Sequence, residues 1–460
     1  MLTAISTATR RAIGTARPMS AAARPGPGVI GLDIHLPASF VDQARLERHD
    51  AVAAGKYTAG LGQQQMAFVD TDEDVQSMAL TATRRLLRAS GVAPRDIGRV
   101  EVGTESMVDK SKSVKSALMS LWNDEGVHDV EGVDCLNACY GGTAALFNSL
   151  AWMHSPEYDG RLALVLAGDI AVYPPGPARP TGGAGMVALL LGPDAPLRFD
   201  PVRHSHMEHA YDFYKPHMDS EYPLVDGHLS NACYRRALEG CWDGYSRRFA
   251  DLHGHTPTLG EDIDYLLFHQ PYQKLVRKSF AALWGREAAE PEAAAQLWGS
   301  ADLYDRMVEP GTRLGRRVGN LYAGSLYASL ISLLCHAPLD QLPGRRIALF
   351  SYGSGLTSSL FSATVAQNAS GWLRGVRRDL RLDERLDRRS EASPAEYAAA
   401  MLRRERQLPP RAADPARRRP GVTYLESIDP DTRHRAYRQE PASSWSSSPS
   451  PPGQAAAGCW

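Results

Sequence analysis

Three polar side chains stand at the ends of apolar runs. Glu105 follows Val100-Glu101-Val102-Gly103, Cys139 precedes an apolar helical run, and His269 follows the strand-like stretch 263–268. Carboxylates and imidazoles at strand ends line the crevices in which α/β sheets bind ligands. A thiol where a strand turns into a helix meets the unpaired N–H groups of the helix N-terminus, which favour thiolate and suit a nucleophile. Cys139 has that placement, with Val130-Glu131-Gly132-Val133 strand-like upstream and Tyr140-Gly141-Gly142-Thr143 opening the helical run. A nearby His can also generate a thiolate, and a Glu held at a strand tip can shuttle a proton. Each residue type has a plainer use as well. A lone Cys is more often a small buried hydrophobe, a lone His at a strand end is more often a hydrogen-bonded structural group, and Glu105 can be a surface carboxylate. Residue type and spacing leave both uses open.

The elements that must hold these side chains follow from periodicity and punctuation. Thr71-Asp72-Glu73-Asp74 supplies a helix cap with an acidic first turn. Val75, Ala79, Ala82 and Leu86 repeat at helical spacing, and Gly91 ends the run. Leu146, Leu150 and Met153 mark one face of the helix after Cys139. The apolar run 162–168 suits a strand buried on both faces. The second half repeats this grammar: the strand 263–268, Gly319-Asn320 before a helical run at 326–334, a strand and glycine turn at 347–355, and a returning strand at 356–365. Each half offers a strand, a polar tip, a helix, and a strand–Gly–strand pair, with 162–169 and 182–191 as the first-half pair. This is internal duplication of a supersecondary unit. Farther on, Ser393 caps a helix expected over 394–406 with Pro394 at its first position, and 409–420 looks like a basic loop.

A length of 460 residues fits two or three ordinary domains or one large intertwined α/β body. With 43% apolar and 22% charged residues, a globular chain is expected. A net charge of -1 gives no support for general nucleic-acid binding. No run of 18 apolar residues occurs, which argues against a membrane-spanning helix. The six cysteines form no CxxC pair, so free thiols in a reduced compartment are the default and no metal site is indicated. Residues 1–32 carry Arg10, Arg11, Arg17 and Arg24 with no Asp or Glu, the composition of a mitochondrial transit peptide. The expected organisation is a transit segment at 1–27, one half at 28–200 with Glu105 and Cys139, a second at 201–440 with His269, and a disordered tail at 441–460.

Ordered motifs then run along most of the chain. They include Gly55-Lys56-Tyr57-Thr58, Val102-Gly103-Thr104-Glu105, Asp109-Lys110-Ser111-Lys112-Ser113-Val114-Lys115, Asn137-Ala138-Cys139-Tyr140-Gly141-Gly142-Thr143, Gly168-Asp169-Ile170-Ala171-Val172-Tyr173, Ala178-Arg179-Pro180-Thr181-Gly182-Gly183, Tyr211-Asp212-Phe213-Tyr214-Lys215-Pro216 and Ser220-Glu221-Tyr222-Pro223. From about residue 28 to 370 the sequence closely resembles the hydroxymethylglutaryl-CoA synthase family of the eukaryotic type. The resemblance implies a thiolase-like α/β fold, two duplicated halves in five layers, α-β-α-β-α. It implies condensation of acetyl-CoA with acetoacetyl-CoA, both of them substrates, with no cofactor and no metal.

By the matching motifs Cys139 is the nucleophile that carries the acetyl group, Glu105 the general base, and His269 the anchor for the thioester carbonyl of acetoacetyl-CoA. A carboxylate in a closed site is a plausible base, and the turn Gly353-Ser354-Gly355 can offer backbone N–H donors to an oxyanion. The resemblance places Ala54, Lys56, Lys274 and Lys278 near CoA, and Thr181, Ser230, Asn320 and Ser354 near the acyl and pantetheine groups. Asp109, Asp169 and Asp212 match acidic family positions that support the site. The chain departs from the family pattern at Pro177, where relatives have Asn, at Ala53, where they have an acidic residue, and in a shortened stretch between His269 and Asn320. A homodimer without nucleic-acid or membrane partners is implied. The mitochondrial form, which feeds ketone-body synthesis, is favoured over the cytosolic form of the mevalonate route. The alternatives are another condensing enzyme of the same fold and a non-catalytic acyl-CoA-binding relative.

Overall fold

The computed structural model describes residues 26–287, 301–410 and 418–441. The segments expected as a transit peptide (1–27), a basic loop (409–420) and a tail (441–460) lie mostly outside the described residues. In chain order the first half runs β1 (Gly28–His35), α1 (Val75–Ser90), β2 (Ile97–Gly103), β3 (Asp134–Cys135), α2 (Gly141–Met153), β4 (Leu162–Ala171) and β5 (Gly183–Gly192). The second runs β6 (Leu197–Met207), α3 (Gly227–His253), β7 (Tyr265–Phe268), α4 (Ser325–His336), β8 (Arg346–Gly353) and β9 (Thr357–Val365).

These strands lie side by side in the order β7-β8-β9-β6-β1-β5-β4-β2-β3. From the centre outwards the two halves have the same topology: β1, β5, β4, β2 on one side and β6, β9, β8, β7 on the other. The directions repeat too. β2 is parallel to β4 as β7 is to β8. The pairs β4–β5 and β5–β1 are antiparallel, as are β8–β9 and β9–β6. The halves join where β1 meets β6, at Gly28 opposite Arg198 and Val29 opposite Leu197. The duplication expected from sequence is therefore present in strand order and direction, with β3 as an extra edge strand on the first half.

Alternation along single strands explains the layers. In β4, Ala163, Val165 and Ala167 enter a central core that also holds Leu146 and Leu150 of α2 and Leu326, Leu330 and Leu333 of α4. Leu164 and Leu166 enter a second core with Val75, Ala79, Ala82 and Leu86 of α1. In β8, Ile347 and Leu349 face the central core, while Ala348 and Phe350 face a third core with Tyr234, Leu238 and Tyr245 of α3. Apolar residues on both faces at period two mark sheets covered on both sides. The order of layers is α1, first sheet, α2 with α4, second sheet, α3.

Local signals set most boundaries. Asp74 caps α1: Ser77 N–H donates to its Oδ1 at 2.8 Å, and Asp74 N–H donates back to Ser77 Oγ at 3.0 Å. Gly91 closes the helix with φ 67°. Ser393 caps the helix Pro394–Glu405 in a reciprocal arrangement with Glu396. The strand expected at 130–133 is a correction. Val100 and Val102 N–H donate to the carbonyls of Glu131 and Val133 at 2.9 and 3.1 Å, yet regular strand is confined to Asp134–Cys135. The cause is Gly132, at φ 112°, where a Cβ would stand 1.8 Å from the Val100 carbonyl oxygen. Among the described residues no helix is long and apolar enough to cross a membrane, and the described cysteines are all free thiols.

Candidate active site

The parallel strands β2 and β3 run out side by side, with Thr104 N–H donating to Cys135 O at 3.3 Å. The loops that follow carry Glu105 and Cys139. Two glycines bring the remaining walls close. A Cβ on Gly103 would lie 2.2 Å from Gly142 N, so the end of β2 packs directly under the first turn of α2. A Cβ on Gly353, at the end of β8, would lie 2.5 Å from Tyr140 N and 2.8 Å from Asn137 O. The glycine turn of the second half, with Ser354, thus abuts the Cys139 loop of the first, and the site sits at their junction.

Asp169, fully buried near the end of β4, is the hub. Its Oδ1 accepts from Thr104 Oγ1 and Glu105 N at 2.7 Å, and from Ser106 N and Ser106 Oγ at 2.9 Å. Its Oδ2 accepts from Ala323 N at 2.9 Å. One carboxylate therefore ties the Glu105 loop to the second-half segment leading into α4. Burial, together with the nearby charge of Glu105, pushes the Asp169 carboxyl up to about 7. Glu105 is itself buried, and Lys215 Nζ lies 2.8 Å from its Oε1.

Cys139 departs from the expected thiolate. Burial, then the charges of Glu105 and Asp169, push its thiol well above the ordinary value, against a smaller opposing effect of Lys215. At the helix start the N–H of Cys139 itself favours the anion, but more weakly than burial and the two carboxylates oppose it, and the next two N–H groups are engaged. Tyr140 N donates to Asn137 O at 2.9 Å, Gly141 N to Ala138 O at 3.3 Å, and Thr143 N to Tyr140 O at 2.9 Å. Of the backbone N–H groups in the turn Gly353-Ser354-Gly355, that of Gly355 donates to Asp212 Oδ1 at 2.9 Å and fixes the turn. Asp212, fully buried, also accepts from Tyr352 OH at 2.8 Å.

His269 follows β7 and is buried. Its N–H donates to Phe350 O at 2.8 Å, its carbonyl accepts from Tyr234 OH at 2.7 Å, and its ring lies 26° from that of Tyr352 with centroids 6.5 Å apart. Burial pulls the imidazole down to about 3, so it is neutral near pH 7, with one ring N–H to donate.

The proposed binding residues fall into two groups. Buried Asn320 donates its N–H to Gly182 O at 3.0 Å and accepts at Oδ1 from Tyr322 N and Ser325 Oγ at 2.9 and 2.7 Å. This places it against the turn Arg179–Thr181, where Thr181 Oγ1 donates to Ala178 O. The other group is exposed: Ala54 and Lys56 on one loop, Lys274 and Lys278 one turn apart on the helix Gln273–Glu287. Lys274 N donates to Leu61 O at 3.0 Å, which docks that loop on that helix. Ser230 lies in the first turns of α3, and the neighbouring Asn231 accepts from Tyr272 OH at 2.8 Å. Asp109 is exposed and accepts from Ser111 N and Lys112 N at 2.7 Å, contacts within its own turn. Pro177 and Ala53 are exposed.

Sequence reasoning missed two groups. Buried Glu47 gathers the Lys56 loop, accepting from Gly55 N, Tyr57 N and Thr58 N at 3.0, 2.6 and 2.8 Å. Lys215 pairs with Glu105; it lay inside a recognised motif, but nothing in its spacing pointed at a residue so far upstream.

The sequence matches the family model for the hydroxymethylglutaryl-coenzyme A synthase N terminal over residues 25–196, and that for the C terminal over 197–296 and 289–440. The mitochondrial hydroxymethylglutaryl-CoA synthase of Rattus norvegicus is 42% identical, with 90% of this chain and 89% of the relative covered. The hydroxymethylglutaryl-CoA synthase of Schizosaccharomyces pombe is 44% identical, covering 90% and 98%. Among solved structures, MvaS in complex with 3-hydroxy-3-methylglutaryl coenzyme A superposes with a TM-score of 0.81 at 35% identity, over 91% of this chain and 100% of that one. The HMG synthase of the curacin biosynthetic pathway, 24% identical with a TM-score of 0.78, shares the fold. The five layers and duplicated halves are those of the thiolase-like fold. On family models that together span both halves, and on relatives matched over nine-tenths of its length, this chain belongs to the hydroxymethylglutaryl-CoA synthase family.

Proposed function

We propose that this chain is an acyltransferase that condenses acetyl-CoA with acetoacetyl-CoA and water, giving 3-hydroxy-3-methylglutaryl-CoA and CoA. The observation that carries this reading is the buried junction where Asp169 holds the Glu105 loop while Gly353 closes on the Cys139 loop. The Cys139 sulfur attacks the acetyl thioester and CoA leaves as a thiol. Since the thiol is held protonated, its proton must depart as the S–C bond forms. Glu105 then removes a proton from the acetyl methyl, the carbanion attacks the ketone carbon of acetoacetyl-CoA, and the alkoxide takes a proton back from Glu105. Water finally cleaves the thioester and restores Cys139. Neutral His269 donates a hydrogen bond to the thioester carbonyl of acetoacetyl-CoA, orienting it without adding charge to the pocket.

Lys56, Lys274 and Lys278 meet the phosphates of CoA, a role supported by the docking of loop on helix and by their exposure. Ala54 lies with them beside CoA, and Thr181, Ser230, Asn320 and Ser354 line the path of pantetheine and acyl groups. The test is incubation with radiolabelled acetyl-CoA followed by denaturation. Label stays on the wild-type protein and is absent from Cys139→Ala; a wild type that takes up no label overturns the reading.

The compartment we propose is the mitochondrion, on the arginine-bearing, acid-free N-terminal composition and the mitochondrial relatives. The S. pombe relative carries no compartment in its name. Fusing the first ~40 residues, which span a typical targeting segment, to a fluorescent reporter is expected to send it to mitochondria. Diffuse cytosolic fluorescence overturns this.

A further inference from the structure

Three groups able to carry negative charge come within electrostatic reach of one another from three different elements: Glu105 after β2, Asp169 on β4 and Cys139 before α2. Burying like charges together favours their neutral forms. A base, however, has to be ionised when the substrate arrives. The countercharge comes from the second half. Lys215 follows the short strand Phe213–Tyr214, which pairs with Leu224–Val225. Its Nζ lies 2.8 Å from Glu105 Oε1, with the two side chains only 20% and 5% exposed.

The ammonium is held in place. It lies 5.0 Å from the ring centroid of Tyr322 and 5.9 Å from that of Phe213, and those two rings meet edge to face at 5.7 Å. Such cation–ring contacts add an attraction to that of the carboxylate. Upstream, Asp212 is pinned by Tyr352 OH and Gly355 N–H, which fixes the backbone from which Lys215 extends.

We propose that Lys215 is a positioning residue that holds Glu105 as a carboxylate and fixes its orientation for proton removal from the acetyl group. This rests on Glu105 being the base. The groups that act on Glu105 or feel its charge are Cys139, Asp169, Tyr173, Tyr322 and Lys215. Those acting on Lys215 are Glu105, Asp169 and Glu221. Both tyrosines are pushed up by burial and stay neutral. Burial alone would pull the ammonium down, but the carboxylates outweigh it and leave it raised. Among these named groups Lys215 is the single cation, so its removal leaves Glu105 with neutral or anionic neighbours.

The consequence has a definite sign. Losing the cation favours protonated Glu105, so the base form appears only at higher pH. The acidic limb of the condensation rate then moves to higher pH. A residue that only fills space would lower the rate equally at every pH. The experiment uses the full chain with acetyl-CoA and acetoacetyl-CoA, and compares wild type, Lys215→Met, Lys215→Arg and Glu105→Gln across pH, with transfer of radiolabelled acetyl to the protein measured in parallel. Lys215→Met is expected to lose about tenfold or more in condensation near neutrality and to recover as pH rises, while Lys215→Arg keeps the limb of the wild type. Circular dichroism checks folding, and Lys215→Gln, which keeps a polar head in the pocket, replaces Met if that variant does not fold. An unmoved limb, or a loss equal at all pH, overturns the proposal. If Glu105→Gln condenses normally, the base assignment falls instead; if Glu105→Gln is inactive and the Lys215→Met limb stays put, only the role of Lys215 falls.

Discussion

His269 illustrates what a single residue type conceals. Its position after an apolar run is visible in the sequence. Its charge state is not, because that depends on Tyr234, Phe350 and Tyr352, which pack around it from distant segments. Burial lowers its pKa from 6.5 to about 3. The unfolded chain therefore binds a proton between those values that the folded chain refuses. The stabilisation due to the neutral ring is fully present above about 6.5 and is lost as pH falls from there toward 3. At pH 5 this single site costs about 2 kcal/mol of stability relative to neutrality. Urea unfolding at pH 7.5 and pH 5 is expected to show a smaller acid destabilisation for His269→Gln than for wild type; identical acid sensitivity would show the ring already solvated. Cys139 makes the same point in reverse. Its identity and placement were legible, but its protonation was not, since it is set by burial and then by two carboxylates that come from separate elements, the loop after β2 and the strand β4.

Elements were most legible where periodicity and punctuation agreed. α1 has an apolar stripe and ends at its closing glycine as expected, but its cap is Asp74, so Asp72 and Glu73 precede the helix and the acidic first turn expected there is absent. The strands β4 and β5 and the stretch 347–350 of β8 are apolar runs because both faces are covered, whereas β9 is buried yet carries Ser or Thr at five of its nine positions. The misreadings share one physical cause: a backbone group was treated as free when the tertiary fold had engaged it. At 130–133 the pattern favoured strand, but the turn at Gly132 lets only part of the segment ladder with β2. At α2 the N–H groups of Tyr140, Gly141 and Thr143, inferred to be unpaired at a helix start, are taken by the carbonyls of Asn137, Ala138 and Tyr140. At 353–355 the glycines imply close approach, which the structure contains, but it is Asn137 and Tyr140 that approach Gly353, while Gly355 is held by Asp212. Close approach can be inferred from a glycine; its partner cannot.

At the scale of the whole molecule, the duplication explains why one pocket draws on both halves. Each half ends its parallel strands toward the same junction, so the loops after β2, β3 and β4 face those after β7 and β8. The duplication is incomplete at one place: β3 forms an edge at the end of the strand order. Val133 and Leu136, flanking it, are each 58% exposed, and Met107 is 50% exposed. An open edge bordered by large apolar side chains is a liability that a partner removes. The partner expected here is a second copy of this chain, joined edge to edge about a twofold axis. Light scattering on the purified full chain is expected to give twice the chain mass of 50.1 kDa. The double variant Val133→Lys/Leu136→Glu is expected to run as a monomer with its circular dichroism preserved, and to lose condensation activity, because the Cys139 loop begins where that edge ends. A wild type that is monomeric at micromolar concentration rules the dimer out, and a double variant that remains dimeric moves the interface away from β3.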